Sequence, residues 1–374
     1  MNEYLKHYKV KIHALSPIHV GSGEKIGKKE YIYMPWNHRV IIPNVEKMYV
    51  DLQKKGLEKE FTSFMLDSRA KGPSLSQWMG KHGFCGEDYE KWKMYEMDAG
   101  EAFLAKPQER PKEIAGCIKD AYGLPYIPGS SVKGMFRTAI IAWEIHKNPD
   151  KYRNVKREIE KKSALRSNRK QCLAKETTHL EQQILYTLGR DEEKAGNAVN
   201  DNLSGLHIGD SEPISLEQLT LCQKIDYTLE GAEKTLPLLR EALIPGTEIC
   251  MEVSVDRTIC PYRMEDILEA LDYFQNVCYQ YFYSRFKRGT KERHVVWLGG
   301  GCGFLSKTIL YPLFGVDTVK IVDNVFKNTL GKSYSLHKHT RDCGLQLAPH
   351  VCKCTRYQGK LYDMGMGYIE FEEN

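Results

Sequence analysis

No Cys-x-x-Cys occurs in the 374-residue chain, although it holds 11 cysteines. Nor does any apolar run approach the roughly 18 residues of a membrane-spanning helix. The first residues, Met1-Asn2-Glu3-Tyr4-Leu5-Lys6, contain no signal-peptide apolar core. These absences predict a cytoplasmic protein with reduced thiols, no disulfide framework and no membrane partner. A strong charge bias is missing too. The formal net charge is +5, which permits a nucleic-acid partner without demanding one. Nucleotide signatures are also lacking. Gly299-Gly300-Gly301-Cys302-Gly303 runs into Phe304. A P-loop needs Gly-Lys-Ser/Thr there, and a dinucleotide fingerprint needs its third glycine at 304. No cofactor is expected.

What is present suits a globular protein of two domains, with 41% hydrophobic and 28% charged residues. One stretch stands out, Pro125-Tyr126-Ile127-Pro128-Gly129-Ser130-Ser131-Val132-Lys133-Gly134-Met135-Phe136-Arg137. Leu124 to Ile127 reads as the end of a strand, and Pro128-Gly129 as a turn. Ser130 or Ser131 can cap the helix predicted from Val132 to Ile145. That helix would bury Val132, Phe136, Ala139, Ile140 and Trp143. Lys133 and Arg137, four apart, share another face. Two cations, hydroxyls and free N–H groups at one helix start suit an anion such as phosphate. The plainer reading is a strand–turn–helix joint with two solvated cations.

Elsewhere, Tyr8, Val10, Ile12 and Ala14 alternate with Lys9, Lys11 and His13, a half-buried strand. It ends in Leu15-Ser16-Pro17-Ile18-His19-Val20-Gly21-Ser22-Gly23, whose glycines allow close backbone approach. Residues 57–105 read as a mostly helical insertion. Residues 150–200, including Arg166-Ser167-Asn168-Arg169-Lys170, read as a solvated or mobile polar insert. Leu206–Ser211, Leu219–Tyr227 and Glu248–Val255 are strand candidates. Met264–Phe286 forms a long helix whose aromatics (Tyr273, Phe274, Tyr281, Phe282, Phe286) belong to the core. The basic run Arg285, Lys287, Arg288, Arg293 follows. A strand, His294–Leu298, then leads into the glycine loop, and Phe304–Leu313 reads as helical. Loop amides of this kind cradle a phosphate, or else make a tight turn under a packed helix. Val351–Tyr357 and Lys360–Met364 pair across Gln358-Gly359.

His337, His339, Cys343, His350, Cys352 and Cys354 crowd one segment. Their spacing matches no closed zinc pattern. Cys352 and Cys354 are expected on opposite faces of their strand, so no metal site is assigned. A ribonuclease would need a general base beside a 2′-hydroxyl. His19 is the leading candidate, and without a partner it reads better as an RNA contact.

The stretch at 128–137 resembles the Pro-Gly-Ser-Ser-aliphatic-Lys-Gly-x-x-Arg motif of the RAMP superfamily of CRISPR proteins. The loop at 15–23 and the glycine loop resemble two further RAMP loops. The end of the chain, from Ala348-Pro349-His350 through Gln358-Gly359-Lys360 to Met364-Gly365, resembles one RAMP subunit, which caps the type III-A complex at the guide 3′ end.

The resemblance implies an α+β protein of two ferredoxin-like (RRM-like, βαββαβ) RAMP domains with helical insertions. The first would be 1–215, with insertions near 57–105 and 150–200. The second would be 216–374, with the glycine loop at 299–303. It implies a guide-RNA (crRNA) binder in antiviral defence, contacting the guide's 3′ region and supporting its maturation. The contacts would be His19, Gly21, Ser22 and Gly23; Gly129, Ser130, Ser131, Lys133, Gly134 and Arg137; and Gly299, Gly300, Gly301 and Gly303, with Arg285, Lys287, Arg288 and Arg293 supplying charge. Implied partners are the backbone RAMP subunit, a small helical subunit and host nucleases that trim the 3′ end, with target RNA met indirectly. The alternative is a RAMP endoribonuclease acting on guide precursor. Target-cleaving RAMP subunits carry an aspartate after the first strand, whereas residues 16–29 hold only Glu24 as an acid. No catalytic residue is assigned.

Overall fold

The computed structural model describes residues 4–68, 72–103, 113–168 and 171–374. Arg169 and Lys170 of the polar insert lie outside the described residues. In chain order the strands are β1 (Leu5–Ala14), β2 (Gly21–Ile26), β3 (Ile32–Met34), β4 (Arg39–Pro43), β5 (Lys93–Asp98), β6 (Ile114–Cys117), β7 (Leu206–Ile208), β8 (Leu219–Tyr227), β9 (Glu233–Leu243), β10 (Glu248–Asp256), β11 (Val295–Trp297), β12 (Cys352–Tyr357), β13 (Lys360–Asp363) and β14 (Met366–Glu373).

The expected alternation holds in β1, with Tyr8, Val10, Ile12 and Ala14 buried. Its two edges carry backbone groups that need partners. β10 and β14 supply them, so Val10 faces Met251 on one side and Phe371 on the other. The resulting five-stranded sheet is antiparallel, in the order β11-β14-β1-β10-β7. A second, nine-stranded sheet follows β2-β6-β9-β8-β5-β4-β3, with β12 on β8 and β13 on β12. The mixed α+β class is as read. One separate βαββαβ sheet per half is not: both sheets draw strands from both sides of residue 215.

The helices Gly129–Lys147 and Met264–Tyr281 pack on one another, with His146 stacked on Tyr273 at 4.4 Å. The first buries Val132, Phe136, Ala139, Ile140 and Trp143, as periodicity predicts. Phe274, Phe282 and Phe286 are in the main core. The first insertion is helical at Glu58–Leu66, Leu75–Lys81 and Gly86–Trp92, with its own core around Phe61, Trp78 and Trp92. After these helices comes β5, which joins the second sheet, and residues 69–71, 104 and 105 of the insertion lie outside the described residues. The polar insert forms helices Arg153–Ser163 and Ala174–Leu185, docked through Ile159, Leu180 and Leu185.

Two expectations fail locally. Leu124–Ile127 is not a strand, because its backbone is taken by a turn and by the segment after β7. The Asp120 N–H donates to the Leu124 carbonyl at 2.8 Å, and the Ser211 N–H donates to the Ile127 carbonyl at 2.9 Å. Phe304–Leu313 is interrupted, with a short turn at Leu305–Lys307 and a helix at Leu310–Phe314.

Candidate nucleic-acid interface

The helix of the first motif starts at Gly129, and neither Ser130 nor Ser131 caps it. Asp210 does so from outside, its Oδ1 accepting the Gly129 N–H at 2.8 Å. A Cβ on Gly129 would lie 2.1 Å from the Ile208 carbonyl oxygen, so glycine is required by the close pass of β7. Lys133 Nζ donates to the Leu206 carbonyl at 2.7 Å, and burial pushes its pKa down. Arg137 is paired with Glu181 at 2.6 Å and with Asp201. Both expected phosphate-facing cations are thus held by the protein's own oxygens. What faces outward is Ser130 and Gly134. Nothing lies within 4 Å of where a Gly134 Cβ would be. A mid-helix glycine costs about 0.5–1 kcal/mol relative to alanine, so the absence of an internal reason is informative.

The loop after β1 and the glycine loop meet directly. His19 is buried, and its Nδ1 donates to the Glu241 carbonyl at 2.7 Å. A carbonyl only accepts, so Nδ1 carries the proton. Burial lowers the His19 pKa below its ordinary value of 6.5. The His19 carbonyl accepts the Gly300 N–H at 2.7 Å. A Cβ on Gly299 would sit 1.9 Å from that carbonyl oxygen, and one on Gly301 would sit 2.5 Å from Met364 Sδ. The close neighbours that require glycine at 299 and 301 are thus His19 and Met364. Gly21, Ser22 and Gly23 are exposed on β2.

Beneath this junction Glu241 is fully buried. It accepts from Tyr95 Oη at 2.6 Å, from the Cys117 N–H at 2.8 Å, and from Lys119. The residue before it on the strand, Arg240, has no such partner among the described residues. Its Nη1 is buried and bonded to nothing among the described residues. Burial lowers its pKa, and the thiols of Cys302 (in the glycine loop) and Cys222 lie near it. Lys224 on β8 is also half-buried, pushed down first by burial and then by Lys353, with Asp226 opposing and Arg240 adding to the shift. Lys353 lies against Gly303 and pairs with Asp226 at 2.7 Å. Arg240, Lys224 and Lys353 are thus among the cations near the glycine loop, and the sequence reading did not single them out.

Those it did single out are mostly occupied. Arg288 pairs with Asp363 and donates to the Leu361 carbonyl at 3.1 Å. Arg293 pairs with Asp272 at 2.5 Å, and Arg285 donates to the Leu345 carbonyl at 3.0 Å. Lys287 is exposed. A cavity of about 350 Å³ links the two motifs, since Arg137 and Phe304 both line it.

Cys352 and Cys354 share a face, contrary to expectation, because residues two apart on a strand point the same way. Both thiols meet Asp363 Oδ1, at 3.4 and 3.5 Å. Arg288 already neutralises that carboxylate. His339 and His350 converge on Asp342.

The RAMP superfamily model matches residues 11–306. The chain belongs to the RAMP superfamily. A Mycobacterium tuberculosis protein, "CRISPR system Cms protein Csm5", is 29% identical over 98% of this chain and 97% of its own. One of the same name from Streptococcus thermophilus is 26% identical over 84% of this chain and 83% of its own. Among solved structures, this RAMP chain has the fold of one from a Csm–crRNA–target RNA ternary complex of a type III-A CRISPR-Cas system. The TM-score is 0.61 at 19% identity, covering 97% of this chain and 100% of the other. The crystal structure of T. onnurineus Csm5 matches with TM-score 0.62 at 19% identity, covering 96% of this chain and 99% of the other. No helix among the described residues is long and apolar enough to cross a membrane.

Proposed function

We propose that this chain is the RAMP subunit that binds the guide RNA of a type III-A CRISPR complex and caps its 3′ end, as a binder and not as an enzyme. Similarity along nearly the whole chain to proteins named Csm5 supports this. One structural observation carries it: two interlocked loops beside Arg240, whose buried Nη1 meets no acceptor among the described residues, and beside Lys224, whose one nearby carboxylate, Asp226, is already paired with Lys353. A buried donor without an acceptor costs about 1–3 kcal/mol, more for a charged group. An anion from outside the chain offsets that cost. RNA phosphates fit, since they are bound without regard to sequence. The exposed Ser130 and Gly134 offer a second close approach.

His19 supports the binder reading. Its ring is buried between Gly21 and Gly300, its Nδ1 is engaged, and burial keeps it neutral. It holds two loops together rather than a 2′-hydroxyl. The same reading brings the backbone RAMP subunit, a small helical subunit and trimming host nucleases as neighbours, target RNA through the guide, and a cytoplasmic location.

Fluorescence anisotropy with labelled guide RNA across a salt series tests it. Each phosphate contact on single-stranded RNA contributes a slope of about −0.7. Arg240→Ala with Lys224→Ala should flatten the slope by roughly 1.4 while the protein stays folded. An unchanged slope would sink the site. A discrete product from repeat RNA without added nuclease would sink the non-enzymatic reading.

A further inference from the structure

Beyond the glycine loop lies a cleft of about 660 Å³. Strands β8 and β12 form one wall, and the helical segment 326–345 forms the other. Phe304, the residue after the last glycine, stands at its edge. Five cations line it, Lys224, Lys234, Lys338, Arg341 and Lys353, against the carboxylates of Asp226 and Glu230. Lys353 pairs with Asp226 at 2.7 Å, and Arg341 pairs with Glu230 at 3.3 Å. Five cations against two carboxylates leave three positive charges in excess, and the one carboxylate that acts on Lys224, Asp226, is already paired with Lys353.

Two imidazoles add to this wall. Asp342 is fully buried and takes the Nδ1–H of His339 at 3.0 Å and that of His350. Each ring lines the cleft with Nε2 still unused by that carboxylate. The same three side chains have the composition of a divalent-cation site. The neighbouring ammonium groups oppose a further cation, and they favour an anion. Phe304 and Phe326 supply apolar surface on which a base can stack.

We propose that this cleft seats the terminal nucleotide of an RNA strand and prefers an end carrying a phosphate monoester to one carrying a hydroxyl. The inference rests on the guide-binding reading above and names what that site recognises. A phosphodiester passing along a surface carries one charge, whereas a terminal monoester carries about −1.5 to −2 at pH 7. A net excess of three cations over carboxylates in a concave site matches the second better than the first. Continuity favours it too, because an RNA following the glycine loop reaches Phe304 directly.

The test uses two 5′-labelled RNAs of one sequence, ending in 3′-phosphate or 3′-hydroxyl, titrated with the full chain at fixed ionic strength. The phosphate end should bind roughly tenfold tighter or more, the scale of one added charge-assisted hydrogen bond. Lys234→Ala with Lys338→Ala should abolish that difference and leave hydroxyl-ended RNA within about twofold of the parent. Equal affinity of the two RNAs for the parent protein overturns the inference while the guide-binding reading stands. So does a phosphate preference that survives in the double variant. If neither RNA binds the parent, the guide-binding reading itself falls.

Discussion

The start of the helix Gly129–Lys147 and the junction at His19 and Gly299–Gly303 are both loop–glycine–cation arrangements, and they are built to opposite ends. At the helix start every charge is closed internally. Asp210 takes the first N–H, Lys133 takes a carbonyl, and Arg137 lies between two carboxylates. At the junction the backbone is closed internally but the charge is not, for Arg240 finds no carboxylate and Lys224 has near it only Asp226, already paired with Lys353. A motif can therefore mark where a chain is locked together, while the open positive charge sits on neighbouring strands. What distinguishes the sites is the fate of each donor, not the residue types.

The glycines should break the comparison most sharply. Gly299 has φ of +73° and no room for a Cβ against the His19 carbonyl. Gly299→Ala should cost about 2–4 kcal/mol in urea denaturation, from backbone strain and overpacking. Gly134→Ala should leave stability unchanged or raise it by about 0.5–1 kcal/mol, while weakening RNA binding. A stable Gly299→Ala would show that the junction is looser than its geometry.

Next in size is Arg137. Breaking a buried pair typically costs about 3–5 kcal/mol. The Arg137 side chain is 23% exposed and that of Asp201 12%, so solvent relieves part of the penalty. Arg137→Ala should lose roughly 2–3 kcal/mol in the same assay, with RNA affinity reduced only through the unfolded fraction. If affinity falls while stability holds, Arg137 leaves its carboxylates for RNA and the helix start is not closed.

Much of this was legible in the sequence. Alternation gave β1, periodicity gave both long helices, and glycine density marked the loop that His19 meets. The shared sheets were not legible, because strand pairing is set by distant edges such as those of β10 and β14. Arg240 and Glu241 were missed with their strand. Pro237 argues against a central strand, and it is tolerated where the β8–β9 register shifts. Nor could spacing tell that Glu181 and Asp201 would reach Arg137. The polar insert looked solvated because its charged face is the more numerous.

The smallest expected effect separates the two sites by pH. His19 is buried, and desolvation, the largest influence, lowers its pKa from 6.5. The unfolded chain then binds a proton at a pH where the folded chain does not. Stability therefore rises with pH in that interval. The contribution of His19 is complete above about 6.5 and is lost as pH falls from there toward the folded-state value. His19→Gln removes the titration and can still offer a side-chain N–H toward the Glu241 carbonyl. Its stability, measured by denaturant at steps from pH 7.5 to 5, should fall less steeply than the parent's below 6.5. Arg137 pairs with two carboxylates and with no histidine among the described residues, so the helix start should contribute no matching slope. Parallel curves for parent and variant would mean that the His19 ring is hydrated in solution. The interlock of the two loops would then not be the dry joint on which the open charge of Arg240 depends.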